Sequence, residues 1–108
     1  MPYNLSVAFV EAPLFSRLVH DYLTDSEYAA LQWSLVLHPE MGVVIPGSGG
    51  IRKLRWQGKG HGKRGGLRVI YYWRNHQGEI WLLTLYAKNE AENIPSGVLA
   101  ELRKELER

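Results

Sequence analysis

Residues 49–74 read GGIRKLRWQGKGHGKRGGLRVIYYWR, and the parsing of this stretch decides the fold. Two apolar-and-basic runs, Ile51 to Trp56 and Leu67 to Arg74, flank Gly58, Gly60, Gly62, Gly65 and Gly66, which are interleaved with Lys, His and Arg. The runs are short and rich in β-branched and aromatic residues, so each predicts a strand, and the glycine segment predicts the loop between them. Alternation places Ile51, Lys53 and Arg55 on one face of the first strand and Arg52, Leu54 and Trp56 on the other. In the next strand Leu67, Val69, Tyr71 and Trp73 alternate with Arg68, Ile70 and Tyr72. The stretch holds eight of the thirteen basic residues of the chain (Arg52, Lys53, Arg55, Lys59, Lys63, Arg64, Arg68 and Arg74) and no acid. Charge of one sign at this density repels itself, which makes sense opposite a polyanion. The glycines admit positive φ and remove side-chain bulk, so backbone N–H groups can approach such a ligand closely.

Downstream, Asn75-His76-Gln77-Gly78 is a turn signal that joins the second of these strands to a third, Ile80 to Tyr86, as a hairpin. Ser96 then predicts the cap of a last helix whose Leu99, Leu102 and Leu106 point inward. Upstream, Pro39 to Gly50 carries too many prolines and glycines for a helix and is read as a connecting loop. Before it, Leu5 to Val10 predicts a strand. Pro13 opens a helix to about Leu23, with Leu14/Phe15, Leu18/Val19 and Tyr22/Leu23 recurring every four residues. Thr24-Asp25-Ser26-Glu27 is a capping-box pattern that starts a second helix, ended near His38 by Pro39. Tyr28, Leu31 and Leu35, widened by Trp33, Val36 and Leu37, predict that this helix is buried over much of its girth. The order is β-α-α-β-β-β-α. Helices at the two ends and strands together in the middle argue α+β, with three helices packed on a small, mainly antiparallel four-stranded sheet.

At 108 residues the chain is expected to form one domain, 1–108, burying about 60–70% of its unfolded surface. The net charge is only +2, but it is unevenly placed: −4 over residues 1–50, +8 over 51–88 and −2 over 89–108. A confined basic block is a footprint rather than general stickiness. Cysteine is absent, which removes disulfides and thiolate metal sites. The sequence predicts no signal peptide and no membrane span, and hence a cytoplasmic protein.

Several chemistries fail on the residues. A phosphate-binding Walker loop needs a glycine where Gln57 precedes Gly62-Lys63, and a Ser or Thr where Arg64 follows. His20, His38, His61 and His76 are scattered without acidic neighbours at ligand spacing, so neither a metal nor another cofactor is expected. Ser48 lies in a PGSGG loop rather than a strand-to-helix elbow. What remains is Lys/Arg chemistry on a polyanion. Crowded like charges depress a lysine's pKa toward that of a base, and arginines stabilise charge developing on a phosphoryl group. Trp56, Tyr71, Tyr72, Trp73 and Tyr86 are interleaved with the basic residues, and exposed rings of this kind stack on unpaired bases; for Tyr71, Trp73 and Trp81 core packing is the expectation.

The runs G-G-I-R-K-L-R, G-K-R-G-G-x-R-V-I-Y-Y and L-L-T-L-Y-A-K-N-E, together with L-T-D-S-E-Y at the second helix, resemble the HigB branch of the RelE/ParE superfamily of toxin–antitoxin toxins. The resemblance covers nearly the whole chain. It implies an α+β toxin of a type II toxin–antitoxin system, a metal-independent endoribonuclease that cleaves messenger RNA in the ribosomal A site and is silenced by a cognate antitoxin. Its implied reaction is attack of a 2′-hydroxyl on the adjacent phosphate, leaving a cyclic phosphate and a 5′-hydroxyl. By position, Lys53, Arg55, Arg68 and Lys88 match the catalytic basic residues. Arg55 and Arg68 would hold the phosphate, Arg68 facing ligand rather than core, and Lys53 is the candidate general base. Arg52, Lys59, Lys63, Arg64, Tyr86 and Asn89 are the candidate RNA-binding residues. The RelE branch carries an arginine where this chain has Asn89, and a tyrosine further on where it has Ile94-Pro95-Ser96. The alternatives are a ParE-like gyrase-inhibiting toxin, which needs less basic density on the sheet, and a non-catalytic RNA- or ribosome-binding domain.

Overall fold

The computed structural model describes residues 7–57, 66–74, 78–88 and 94–106. Eight elements follow in order: β1 (Ala8–Glu11), α1 (Pro13–Tyr22), α2 (Asp25–Leu37), β2 (Val43–Val44), β3 (Arg52–Trp56), β4 (Leu67–Arg74), β5 (Glu79–Ala87) and α3 (Ser96–Leu106). The strands form one five-stranded sheet in the order β1-β5-β4-β3-β2, with β1 parallel to β5 and every other pair antiparallel. The class is α+β, as expected, with one strand more than the sequence predicted.

The extra strand is β2. Val43 and Val44 pair with Lys53 and Arg52, inside a segment read from its prolines and glycines as loop. Two side chains from the sheet hold the approach to it. Tyr71 Oη donates to the Pro39 carbonyl (2.7 Å) and accepts from the Gly42 N–H (2.9 Å), while Arg52 Nη1 donates to the carbonyls of Glu40 (2.9 Å) and Gly42 (2.7 Å). A Cβ on Gly42 would lie 2.8 Å from the Tyr71 ring, so only glycine fits under it. Tyr71→Phe should therefore leave a buried N–H and a carbonyl without their partner, at a cost of about 1–3 kcal/mol. The expected reading is a lower urea midpoint at unchanged slope; an unchanged midpoint would remove Tyr71 as the anchor of β2.

Two apolar clusters lie on opposite faces of the sheet. On one, Phe15, Val19 and Leu23 of the α1 region and Leu31 and Leu35 of α2 meet Leu54, Leu67, Val69, Tyr71, Ile80, Leu82 and Leu85. On the other, Leu99 of α3 meets Ile51, Ile70, Leu83 and Tyr86, with Leu102 packed against them. Each fully buried Leu, Ile or Phe contributes about 1.5–3 kcal/mol by leaving water. The α1 stripe is realised at Phe15 and Val19, and α2 starts with the predicted box: Thr24 Oγ1 accepts from Glu27 N (3.2 Å) and the Glu27 carboxylate accepts from Thr24 N (2.8 Å). Glu11, at the end of β1, accepts from Ser16 Oγ and Tyr28 Oη, both at 2.6 Å, tying β1 to both helices. Those two hydrogen bonds, Ser16's first, hold its carboxyl below the usual range.

α2 departs from expectation. Only Leu31 and Leu35 are fully buried, and Trp33 and Leu37 are 59% and 61% exposed, so the helix packs by one side rather than over its girth. The first strand is placed at Ala8–Glu11, with residues 1–6 outside the described part. The β4–β5 hairpin forms as predicted, although 75–77 of its turn lie outside the description. So do the side chains of Ser96 and Leu106, which were expected to cap and to anchor α3. Among the described residues no helix is long and apolar enough to cross a membrane.

Candidate nucleic-acid site

The alternation of β3 is fixed by its apolar residues. Ile51 is buried in the α3-side cluster, and Leu54 in the cluster under α1 and α2, with Trp56 packed against it. Lys53 and Arg55 therefore project on the α3 side. The ladder then sets their neighbours. Arg55 stands opposite Arg68 and Lys53 opposite Ile70; across the next pair, Arg68 stands opposite Tyr86 and Ile70 opposite Thr84. Adjacent strands lie ~4.8 Å apart, so Arg55, Arg68 and Tyr86 form one row ~10 Å long on one face, with Lys53 a step along it. α3 covers the sheet at Ile51, Ile70 and Leu83.

Tyr86 reaches this row because β5 is irregular. The register shifts between Ile70 and Tyr71: Ile70 opposes Thr84 and Tyr71 opposes Leu82, so Leu83 is an extra residue. A one-residue bulge inverts the facing of everything beyond it. Ile80 and Leu82 face α1 and α2; strict alternation would send Thr84 and Tyr86 there as well, yet Tyr86 clusters with Leu99 of α3.

Exposure falls steeply along the row. Arg55 is exposed and Lys53 half-buried, and both line a depression of about 370 Å³ at the β2–β3 edge with Met41, Val43 and Leu54. Arg68 is 7% exposed and Tyr86 8%. Arg68 was expected to reach outward to ligand; it sits instead within the central strand, its Nη1 donating to the Leu67 carbonyl at 3.3 Å. Burial pushes the Tyr86 phenol above its usual pKa, opposed by the lesser effect of the Arg68 charge, so the group is a neutral O–H at ordinary pH. Lys88 is exposed at the Tyr86 end of β5, its N–H on the Gly66 carbonyl (3.2 Å).

Arg52 is not brought to this face. It stands opposite Tyr71, and its guanidinium serves the 39–42 turn. Lys59, Lys63, Arg64 and Asn89 lie outside the described residues, as does His61. The aromatic rings also separate from the basic row. Trp56, Tyr71 and Trp73 belong to the opposite face, and Tyr72 Oη accepts from Arg103 of α3 (3.0 Å), whose guanidinium lies 5.0 Å from the Tyr72 ring centre. Tyr71 and Trp73 pack in the core, as expected; of Trp56, Tyr72 and Tyr86 only Tyr86 joins the row, and its ring is buried. Sequence reasoning missed the bulge that brings it there. The consecutive apolar residues of Leu82-Leu83 hide the change of parity, because both faces of β5 are covered.

The row can take anionic oxygen. Arg55 and Arg68 are like charges directly opposite each other, an arrangement that an anionic oxygen between them would stabilise. Among the described residues no three His, Asp or Glu side chains converge as metal ligands would.

No family model matches the chain. Among solved structures, a mutant form of the E. coli toxin RelE in the free state is similar, with a TM-score of 0.59 at 12% sequence identity, over 91% of this chain and 97% of that one. The chain thus has a RelE-like α+β fold.

Proposed function

We propose that this chain, as the single domain 1–108, is the toxin of a type II toxin–antitoxin system of the HigB kind, a metal-independent endoribonuclease that cuts messenger RNA on the ribosome. Supporting the reading is one observation above the rest: Arg55 and Arg68 are paired directly across β3 and β4, with Lys53 on the same face. Their mutual repulsion is relieved by a phosphate, whose oxygens match the planar donor fork of each guanidinium. The RelE-like fold agrees with it.

In the proposed reaction the ribose 2′-hydroxyl next to the scissile bond attacks phosphorus. Lys53 takes the proton from that hydroxyl. Arg55 and Arg68 hold the phosphoryl oxygens and stabilise the charge that builds on them, the largest single contribution in such reactions. The bond from phosphorus to the 5′-oxygen breaks and that oxygen takes a proton from water, leaving a 2′,3′-cyclic phosphate on one fragment and a 5′-hydroxyl on the other. Lys88 adds positive charge at the end of β5. Lys59, Lys63, Arg64 and Asn89 grip messenger or ribosomal RNA backbone in this reading. The partners are a cognate antitoxin and the ribosomal A site, and the compartment is the cytoplasm.

The test is to express the chain and map new 5′-hydroxyl ends on cellular messenger RNA. Breaks in phase with codons are expected. Intact RNA with broken DNA would replace the reading with gyrase inhibition, and intact RNA and DNA would leave an RNA-binding domain. RNA affinity should also fall with salt, with a log–log slope of about −0.7 per phosphate contact for single strands. A flat response would remove the electrostatic basis of the site.

A further inference from the structure

Among the described residues, Tyr86 carries a hydroxyl on the basic row that is buried without a hydrogen-bond partner. Its Oη has almost no exposed area and finds no hydrogen-bond partner among the described residues, and the residue as a whole is 8% exposed. Buried hydroxyls are nearly always satisfied, because leaving one unpaired loses its hydration with nothing in return. The ring cannot be what is used: it is packed with Ile51, Ile70, Leu83 and Leu99, so no base can stack on it. Only the O–H is left to act, and it stands directly across the ladder from Arg68, itself 93% buried by the same measure of 7% exposure.

We propose that the Tyr86 hydroxyl and the Arg68 guanidinium form a buried donor pair for one phosphoryl oxygen, and that the Leu83 bulge exists in β5 to bring them together. The inference rests on the site being a phosphate site, as in the function proposed above, and adds a neutral donor to its cationic ones. Were Leu83 paired with Ile70 in regular register instead of bulged, Leu85 would stand opposite Arg68 and Tyr86 would turn to the α1–α2 side. An oxygen that meets this pair leaves water to do so, where both hydrogen bonds are stronger and already aimed. The raised pKa of the phenol agrees with a donor and disagrees with a general base.

Tyr86→Phe removes the hydroxyl and keeps the packed ring. Its melting temperature should equal or exceed that of the wild type, since an unsatisfied polar atom has gone. Its affinity for inorganic phosphate, measured by calorimetry, should fall about five- to tenfold, and its cleavage of ribosome-bound messenger RNA about a hundredfold. A wild type that binds phosphate but leaves RNA intact, with a phenylalanine variant that binds phosphate less well, would sink the nuclease and keep the donor pair. A wild type that cleaves RNA, with a variant that matches it in cleavage and in phosphate affinity, would sink the donor pair and keep the nuclease. A wild type with no affinity for phosphate, or a variant that melts lower, overturns the pair as well, the latter because Oη would then have had a structural partner.

Discussion

Arg68→Ala should reduce messenger RNA cleavage by about 10²–10³-fold, the loss that follows removal of one preorganised donor from a developing oxyanion. Its expected effect on stability is smaller than its 7% exposure suggests, because two opposing changes meet there. Truncation leaves a void in the central strand. It also removes a positive charge held directly opposite Arg55, and like charges in that position repel. The variant should therefore fold with a melting temperature within several degrees of the wild type, and be inactive. Arg68→Lys separates charge from geometry, since lysine keeps the charge and lacks the planar fork that meets two oxygens at once. It should recover RNA affinity better than it recovers cleavage. Cleavage by Arg68→Ala within about threefold of the wild type would take the residue out of the reaction, because a transition-state donor cannot be so cheaply lost.

Much of this architecture is legible where local patterning and burial agree. The α1 stripe, the Thr24–Glu27 box and the strands on either side of the glycine loop follow from periodicity of 3.6 or 2, and tertiary packing has no reason to override them. Even the separation of Arg52 from Lys53 and Arg55 is implied by alternation, so its inclusion among RNA-binding residues went against the pattern of its own strand. The parts that were not legible depend on distant partners. β2 is two residues long, and its approach is secured by Tyr71 and Arg52 from elsewhere in the sheet. The parallel pairing of β1 with β5 joins residues about seventy positions apart, for example Phe9 with Ile80. The α2 surface was misjudged because apolar side chains at Trp33 and Leu37 give the helix no sharp stripe; which of them stay exposed is settled by what packs there.

The depth of Arg68 has the same origin. A basic residue within an apolar strand reads as a surface charge when its neighbours are unknown, as Arg55 is in fact. Burial of a guanidinium is costly, and a fold selected for stability alone would place an apolar residue there. That the cost falls on the same face as Lys53, and next to a hydroxyl that finds no partner among the described residues, favours the proposed phosphate site over a solvated basic patch.

Two glycines should respond in opposite ways to the same substitution. Gly66 begins the approach to β4 with φ +70, and a Cβ there would lie 2.6 Å from the Trp56 carbonyl oxygen, which is backbone and cannot swing aside. The left-handed conformation alone costs an alanine about 1–2 kcal/mol, and the clash adds to it. Gly66→Ala should therefore lower stability by roughly 2–4 kcal/mol, toward the exceptional end for one added methyl. Relief requires the start of β4 to move away from the end of β3, which carries Arg68 away from Arg55 and disturbs the Gly66 carbonyl that accepts from Lys88. Cleavage should fall in the folded fraction as well. Gly97, in the first turn of α3, meets nothing within 4 Å and has no positive φ. Gly97→Ala should raise stability by about 0.5–1 kcal/mol through the restricted unfolded chain and better helix propensity, with cleavage unchanged. Denaturant melts of the two variants decide the matter: equal midpoints would mean that the tight crossing of Gly66 over β3 does not set the spacing of the basic row.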